Sequence, residues 1–332
     1  MNTEEAIGQF RNAYVACREQ IGRVMVGQDA IVEGTLTAIF GGGHVLLEGV
    51  PGLGKTLLVR TLGEVLNLSF SRVQFTPDLM PADILGTNLV MEFPDGRRGF
   101  EFQKGPVFAH LVLADEINRA TPKTQSAMLE AMQEKQVTAG GEVRPLPAPF
   151  FVLATQNPID QEGTYPLPEA QLDRFFFKLI VGYPSAAELM EVVTRTTEGG
   201  KVVPEKVLDG PDLIALQQLV RQVPIASHVK DYAVRLVMAT HPKTETAAPI
   251  SNQYLRFGSS PRGAQVLLLA GKVRALTQGR FNVSYEDIQV VAAPALRHRL
   301  ILNFEGEAEG ITTDMVVGQI LQDVPRDAAV SV

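Results

Sequence analysis

A chain of 332 residues, 45% hydrophobic and 20% charged, has the composition of a soluble globular protein and the length for two domains. Its formal net charge of −7 opposes a broad electrostatic footprint for nucleic acid, and a single cysteine, Cys17, excludes an intrachain disulfide. No C-x-x-C or H-E-x-x-H pattern, no run of roughly eighteen uncharged apolar residues and no basic, apolar leader occurs, so neither side-chain zinc nor membrane insertion is expected, and a cytoplasmic location is.

In chain order, residues 44–48 form a short β-prone apolar run that reads as a buried strand, followed by a glycine-rich turn. Leu58, Leu62 and Val65, with Val59 and Leu66, then recur at helical spacing. Further strand-like segments are predicted at 69–74, 112–114, 151–154 and 175–180. A helix over 123–134 starts at Thr121-Pro122, read as an N-cap followed by proline at the first helical position, and turns Met128, Leu129 and Met132 inward. This alternation predicts an α/β fold with a parallel sheet and helices on both faces. Two interruptions, residues 76–105 around Pro94-Asp95-Gly96 and residues 136–149 around Gly140-Gly141, read as β-hairpins. Past Gly182-Tyr183-Pro184 the pattern becomes helices near 186–196, 212–223, 229–240, 261–277, 285–298 and 313–321. The expected organisation is therefore an α/β domain over residues 1–182 and a smaller all-helical domain over 183–332, with a frayed tail from Asp323.

The turn between the first strand and helix, Gly49-Val50-Pro51-Gly52-Leu53-Gly54-Lys55-Thr56, is a complete G-x-x-x-x-G-K-[ST] phosphate loop in the strand-to-helix context that the motif requires. Glycines let successive backbone N–H groups turn inward around a phosphate, and the helix dipole adds positive potential at the same point. Lys55 is placed to reach the β- and γ-phosphates and the Thr56 hydroxyl to ligate Mg²⁺. The apolar run Leu111-Val112-Leu113-Ala114 ends in Asp115-Glu116, at the strand end where nucleotide binds in such sheets. Asp115 is expected to hold Mg²⁺, usually through water, and Glu116 to orient and deprotonate the attacking water.

With these motifs in order, the chain resembles the AAA+ ATPases, and within them the MoxR family, thought to act as chaperones, over roughly residues 20–324. Val26-Gly27-Gln28 is similar to the segment that packs on adenine, and Asp115-Glu116-Ile117-Asn118-Arg119-Ala120 to the family's extended Walker B. The resemblance thus implies an ATP site built from Val26, Gly27, Gly49, Pro51, Gly52, Leu53, Gly54, Lys55, Thr56 and Leu57. Ala154-Thr155-Gln156-Asn157-Pro158 resembles sensor 1, in which Asn157 positions the lytic water. Residues 167–175 resemble the arginine-finger segment, making Arg174 the residue that enters a neighbour's site to stabilise transition-state charge. Gly258-Ser259-Ser260-Pro261-Arg262-Gly263 resembles sensor 2, with Arg262 directed at the γ-phosphate from the helical domain, so that nucleotide bridges the two domains. The two hairpin segments resemble the helix 2 and pre-sensor 1 inserts, and Arg297-His298-Arg299 a further basic segment, although cations collect at helix C-termini in any case.

The resemblance implies a hexameric ring that uses ATP to move a partner protein, often one with a von Willebrand factor A-type domain, during metal-cofactor insertion or complex assembly. A motor subunit of a magnesium- or cobalt-chelatase is the nearest alternative. A nucleic-acid translocase needs basic residues on the inserts, where 136–149 offers only Arg144 beside Glu142 and Arg97-Arg98 is balanced by nearby acids. GTP is disfavoured because no Asn/Thr-Lys-x-Asp segment occurs.

Overall fold

The computed structural model describes residues 3–50, 52–92, 98–157, 164–199 and 202–327. Two helices not anticipated from the apolar spacing come first, α1 (Thr3–Val24) and α2 (Asp29–Gly41). The stripe that buries α1 is Ala6, Phe10, Tyr14, Cys17 and Ile21, a run of three- and four-residue steps that is visible in the sequence once sought. β1 (Val45–Glu48) and α3 (Lys55–Val65) then flank the glycine-rich loop, followed by β2 (Phe70–Gln74).

The first insertion contains α4 (Pro81–Leu85) and the antiparallel pair β3 (Gly86–Glu92) and β4 (Arg98–Lys104). Its expected turn at Pro94-Asp95-Gly96 lies outside the described residues. After β5 (Leu111–Asp115), α5 (Pro122–Glu134) starts at the anticipated proline and leads into the second hairpin, β6 (Gln136–Ala139) and β7 (Glu142–Pro145). β8 (Phe151–Gln156), the short α6 (Glu169–Leu172) and β9 (Phe177–Ile180) complete the α/β part.

The five strands of the central sheet run parallel in the order β2-β5-β8-β1-β9. The inner strands β1, β5 and β8 are near-continuous apolar runs because both faces are covered, whereas the edge strands β2 and β9 carry polar residues. Val45 and Leu47, Leu111 and Leu113, and Phe151 and Leu153 enter one apolar cluster with α1, α2 and α3. The alternate residues Leu46, Val112, Ala114, Val152 and Ala154 enter a second with α4, α5 and β6. The order puts β1 between β8 and β9, so the phosphate loop leaves the middle of the sheet beside the carboxyl ends of its neighbours.

The remainder is α7 (Ala186–Thr197), α8 (Gly210–Gln222), α9 (Ser227–Ala239), α10 (Pro249–Tyr254), β10 (Leu255–Phe257), α11 (Pro261–Thr277), α12 (Tyr285–Leu296), β11 (Ile301–Leu302), α13 (Phe304–Ala308) and α14 (Thr313–Asp323). This lid is helical apart from the small antiparallel ribbon β10-β11. Its α8, α9, α11 and α12 share one continuous apolar cluster with α1 and α2, so the parts on either side of residue 182 are joined through a common core. The frayed tail expected from Asp323 is instead held as far as Asp327. Arg235 donates to the carbonyls of Pro325 and Arg326 at 2.6 and 2.8 Å, and Arg326 pairs with Glu286 at 2.7 Å.

Candidate nucleotide site

Gly52 and Gly54 have φ of +86° and +78°, the left-handed region that side chains resist, and Gly54 is the N-cap of α3. Pro51 lies outside the described residues. Gly49 is required for a different reason: a Cβ there would stand 2.8 Å from the Val181 carbonyl oxygen, where β1 leaves past the end of β9. Lys55 Nζ donates to the Gly49 carbonyl at 2.6 Å and closes the loop on itself. Burial lowers the Lys55 pKa from its usual value, and the charges of Asp115 and Glu116 act the other way. Thr56 follows Lys55 on the first turn of α3, half-buried, and Leu57 is exposed.

At the carboxyl end of β5, Asp115 accepts from Thr155 Oγ1 at 2.6 Å through one oxygen and from Arg72 Nη2 and Nε at 2.7 and 3.1 Å through the other. Glu116 sits in the left-handed region at φ +55°, and its N–H donates to the same Thr155 hydroxyl at 2.8 Å. Strain of this kind persists where surrounding contacts impose it. Here Thr155, fully buried on β8, sets the two carboxylates relative to each other. The Glu116 carboxylate accepts from Arg119 Nη1 at 2.8 Å and Gln74 Nε2 at 3.0 Å. Asn157 follows β8 at the same edge, and its carbonyl accepts from Asn118 Nδ2 at 3.5 Å. Pro158 of the same motif lies outside the described residues.

Beside the loop is a mostly apolar pocket of about 340 Å³ bordered by Val26, Leu53, Leu57, Tyr183, Leu189 and Val192. It fits the flat apolar body of a base. Gly27 has φ +67°, the left-handed region that side chains resist, and a Cβ there would crowd the Glu188 side chain of α7, 2.4 Å from its carboxyl carbon. Helix α7 has no buried residue. It is tied down by Arg195, which donates to the Arg23 carbonyl at 2.7 Å, and the segment leading into it is met by Gln28, which donates to the Gly182 carbonyl at 3.5 Å.

Sequence reasoning missed Arg72, Gln74, Thr155 and the α7 wall with Tyr183. The available signal was polar Arg72 and Gln74 alternating along an otherwise strand-like segment, and a helix whose apolar residues exceed what the lid core receives.

Arg174 and Arg262 lie at the other end of the sheet. Phe176 N donates to the His44 carbonyl at 2.7 Å, which fixes residues 173–176 beside the start of β1, whereas the phosphate loop leaves from its end. Arg174 Nη1 donates to the Leu129 carbonyl at 2.9 Å, its Nε is buried without a hydrogen-bond partner, and it borders a cavity of about 370 Å³ with Glu130 and Glu134. The expectation that Arg262 approaches this chain's own γ-phosphate is corrected. Arg262 pairs with Asp173 at 3.6 Å, next to Arg174, because Asp173 also accepts from Ser260 Oγ at 2.7 Å and Arg299 Nε at 2.9 Å and so anchors the start of α11 there. The lid element that borders the apolar pocket beside this chain's own phosphate loop is α7.

The basic segment 297–299 is a strut. Arg299 is buried, donates to the Phe175 carbonyl at 2.7 Å and to the Ala295 carbonyl, and has its pKa lowered to about 10 by burial against the opposing pull of Asp173. His298 meets the Phe175 carbonyl at 3.1 Å, and burial followed by the charge of Arg299 puts its pKa well below the usual value. Arg297 pairs with Asp314 at 2.8 Å and donates to the Lys178 carbonyl on the open edge of β9 at 3.2 Å.

A parallel sheet that brings a phosphate loop, an Asp-Glu strand end and a polar residue on the intervening strand to one edge, under a helical lid, defines a P-loop ATPase of the AAA+ class. The family model for ATPases associated with various cellular activities (AAA) matches residues 44–177, and the AAA lid domain matches residues 247–320. Chaperone MoxR1 of Mycobacterium tuberculosis is 45% identical over 307 residues, 92% of this chain and 80% of that protein. The protein MoxR of Methylorubrum extorquens is 29% identical over 340 residues, 95% and 97% of the two chains. A solved Cytophaga hutchinsonii structure ascribed to the ATPases superposes with a TM-score of 0.90 at 43% identity, covering 97% of each chain. The chain belongs to the MoxR family of AAA+ ATPases, and its reaction is the hydrolysis of ATP. No helix among the described residues is long and apolar enough to cross a membrane.

Proposed function

We propose that the chain is a remodelling chaperone of the cytoplasm, working as a ring of six copies on a protein client, and that the client carries a von Willebrand factor A-type domain and receives a metal cofactor or enters an assembly. The relative in Mycobacterium tuberculosis bears the name chaperone. The observation that carries a protein client is on the two hairpins. All three basic residues described on their strands are engaged: Arg98 lies 3.9 Å from Glu92, Lys104 sits over the Phe108 ring, and Arg144 stacks 3.8 Å from the centroid of Phe102 while pairing with Glu142 at 2.8 Å. What β3 and β4 present to solvent instead is Val90 and Phe100, opposite each other and 64% and 77% exposed. Few cations, two of them stacked on rings, beside bare apolar side chains favour a polypeptide over a phosphate backbone.

The residues fit ATP and Mg²⁺. The Thr56 hydroxyl and the Asp115 carboxylate are the hard oxygen donors that Mg²⁺ takes, and the positive-φ glycines free backbone N–H groups for phosphate. When bound, MgATP supplies the γ-phosphoryl group and the neutralisation of its charge. Lys55 exchanges the Gly49 carbonyl for phosphate oxygen, and Glu116 exchanges Arg119 for a water whose proton it accepts as general base. Asn157 orients that water from the end of β8. Arg174, at the far end of the sheet from its own loop, acts on a neighbouring copy, with Arg262 beside it.

Steady-state turnover against protein concentration, with mass read by light scattering, tests this reading. Specific activity is expected to rise with assembly and to collapse in Arg174→Ala while nucleotide still binds. An unfolded apolar polypeptide is expected to stimulate turnover, and Val90→Asp with Phe100→Asp to remove the stimulation. Stimulation by single-stranded DNA that survives both substitutions would overturn the protein client, and activity independent of concentration and of Arg174 would overturn the ring.

A further inference from the structure

A second cavity, of about 690 Å³, opens between the N-terminal helices, β9 and the lid, and no residue borders both it and the adenine pocket. Four arginines border it: Arg11 and Arg18 from α1, Arg274 from α11 and Arg297 just past α12, against two carboxylates, Glu33 and Asp314. Both carboxylates are already engaged, Glu33 by Arg18 at 2.8 Å and Asp314 by Arg297 at 2.8 Å. Behind the wall, Arg280 takes both oxygens of the buried Asp287 at 2.8 and 2.7 Å. Arg274 Nε forms only a long ion pair with Asp287 at 3.6 Å, and the buried Nε makes no hydrogen bond. Arg11, which reaches the turn after α11 at Gly279, forms no ion pair among the described residues.

Two arginines from different elements therefore border one concavity, Arg11 exposed and without an ion pair among the described residues and Arg274 held only by a long pair to Asp287, in a chain whose net charge is −7. Ile31, Phe177, Leu179 and Val291 add apolar lining to the same cavity. A bound anion would add charge-assisted hydrogen bonds to both side chains. Guanidinium forks match phosphate oxygens in particular, since one phosphate can accept from both at once. The volume lies in the range of roughly 300–1,000 Å³ typical of small-molecule sites.

The geometry points to a second ligand site here, for a small organic phosphate whose phosphate is held between Arg11 and Arg274 and whose apolar body lies on the β9 wall. Because Arg11 belongs to α1 and Arg274 to the lid, the ligand ties the lid to the N-terminal helices. The proposal is independent of the client and of the ring.

It is tested by calorimetry on the full chain with its phosphate loop saturated by a non-hydrolysable ATP analogue and Mg²⁺, using phenyl phosphate, inorganic phosphate and benzyl alcohol as probes. Phenyl phosphate is expected to bind, inorganic phosphate about tenfold more weakly, and benzyl alcohol not at all. Arg11→Ala, at an exposed position that folding tolerates, and Arg274→Gln are each expected to weaken phenyl phosphate about tenfold, and Arg18→Ala, whose charge is already paired, much less. Equal binding of phenyl and inorganic phosphate, affinity unchanged in Arg11→Ala and Arg274→Gln, or no heat at millimolar probe would each overturn the site.

Discussion

At the carboxyl ends of the strands Asp115 and Glu116 are held by Arg72 and Arg119, whose side chains are 47% and 44% exposed; at the amino ends Asp173 is held by Arg299, whose side chain is 1% exposed. Both ends contain arginine–carboxylate pairs of 2.7 to 2.9 Å, so distance does not distinguish them. Solvation does. A partly wet pair is worth at most about 1 kcal/mol and can be exchanged for phosphate or water, whereas removing one partner of a buried pair strands the other and costs about 3–5 kcal/mol. The same chemistry thus makes a site at one end of the sheet and a joint at the other, and substitutions at the two ends are expected to move different observables.

The largest effect is expected at the carboxyl end. Glu116→Gln should lower single-turnover hydrolysis by about 10²–10⁴-fold with ATP binding retained and the melting curve little changed, and equal turnover in the two proteins would remove Glu116 as the base. At the amino end Arg299→Ala should cost about 3 kcal/mol in denaturant unfolding, because half-buried Asp173 loses its closest charge partner and keeps only Ser260 and the longer contact to Arg262. A loss below about 1 kcal/mol would show that the strut is not a joint.

Acid sharpens the contrast, since the buried histidines are both at the amino end. His44 precedes β1, accepts from Val152 N at 3.0 Å and meets the Met132 carbonyl at 3.0 Å, and burial lowers its pKa from 6.5 to about 4, with the Met132 contact opposing and Lys135 adding to the shift. The folded state prefers the neutral ring, so its contribution is complete above pH 6.5 and is lost as pH falls from 6.5 towards 4. The loss is about 3 kcal/mol. Unfolding followed from pH 7 to pH 4 in wild type and His44→Gln should show a steeper decline in the wild type, and parallel curves would assign the decline elsewhere.

Smaller effects are expected at the apolar pocket beside the phosphate loop. Gly27→Ala forces a side chain against Glu188 at positive φ and is expected to weaken binding of a fluorescent adenine nucleotide about tenfold, with unfolding stability reduced by about 1 kcal/mol. Arg195→Ala, which frees exposed α7 from the Arg23 carbonyl, should change stability by less than about 1 kcal/mol and weaken the nucleotide only a few-fold. A stability loss as large as that of Arg299→Ala would put α7 with the joint, not with the site.

The phosphate loop, the Asp115-Glu116 strand end, Asn157 and the two hairpins were legible in the chain because each is a local device. A phosphate cradle is a property of consecutive backbone amides, a buried parallel strand of a few consecutive apolar residues, and a hairpin of two short runs around a turn. Sequence by itself therefore determined the class of fold, the edge of the sheet that carries the chemistry and the family. Only the tertiary structure decided that Thr155 would bridge the two carboxylates, since that depends on β8 lying beside β5. It also decided that α7 would wall the apolar pocket beside the phosphate loop and that Arg262 would sit with Arg174 at the opposite edge. Those placements are set by how the lid docks through Arg299 and Asp173, 126 residues apart in the chain, and no local spacing records which buried charge will find which partner.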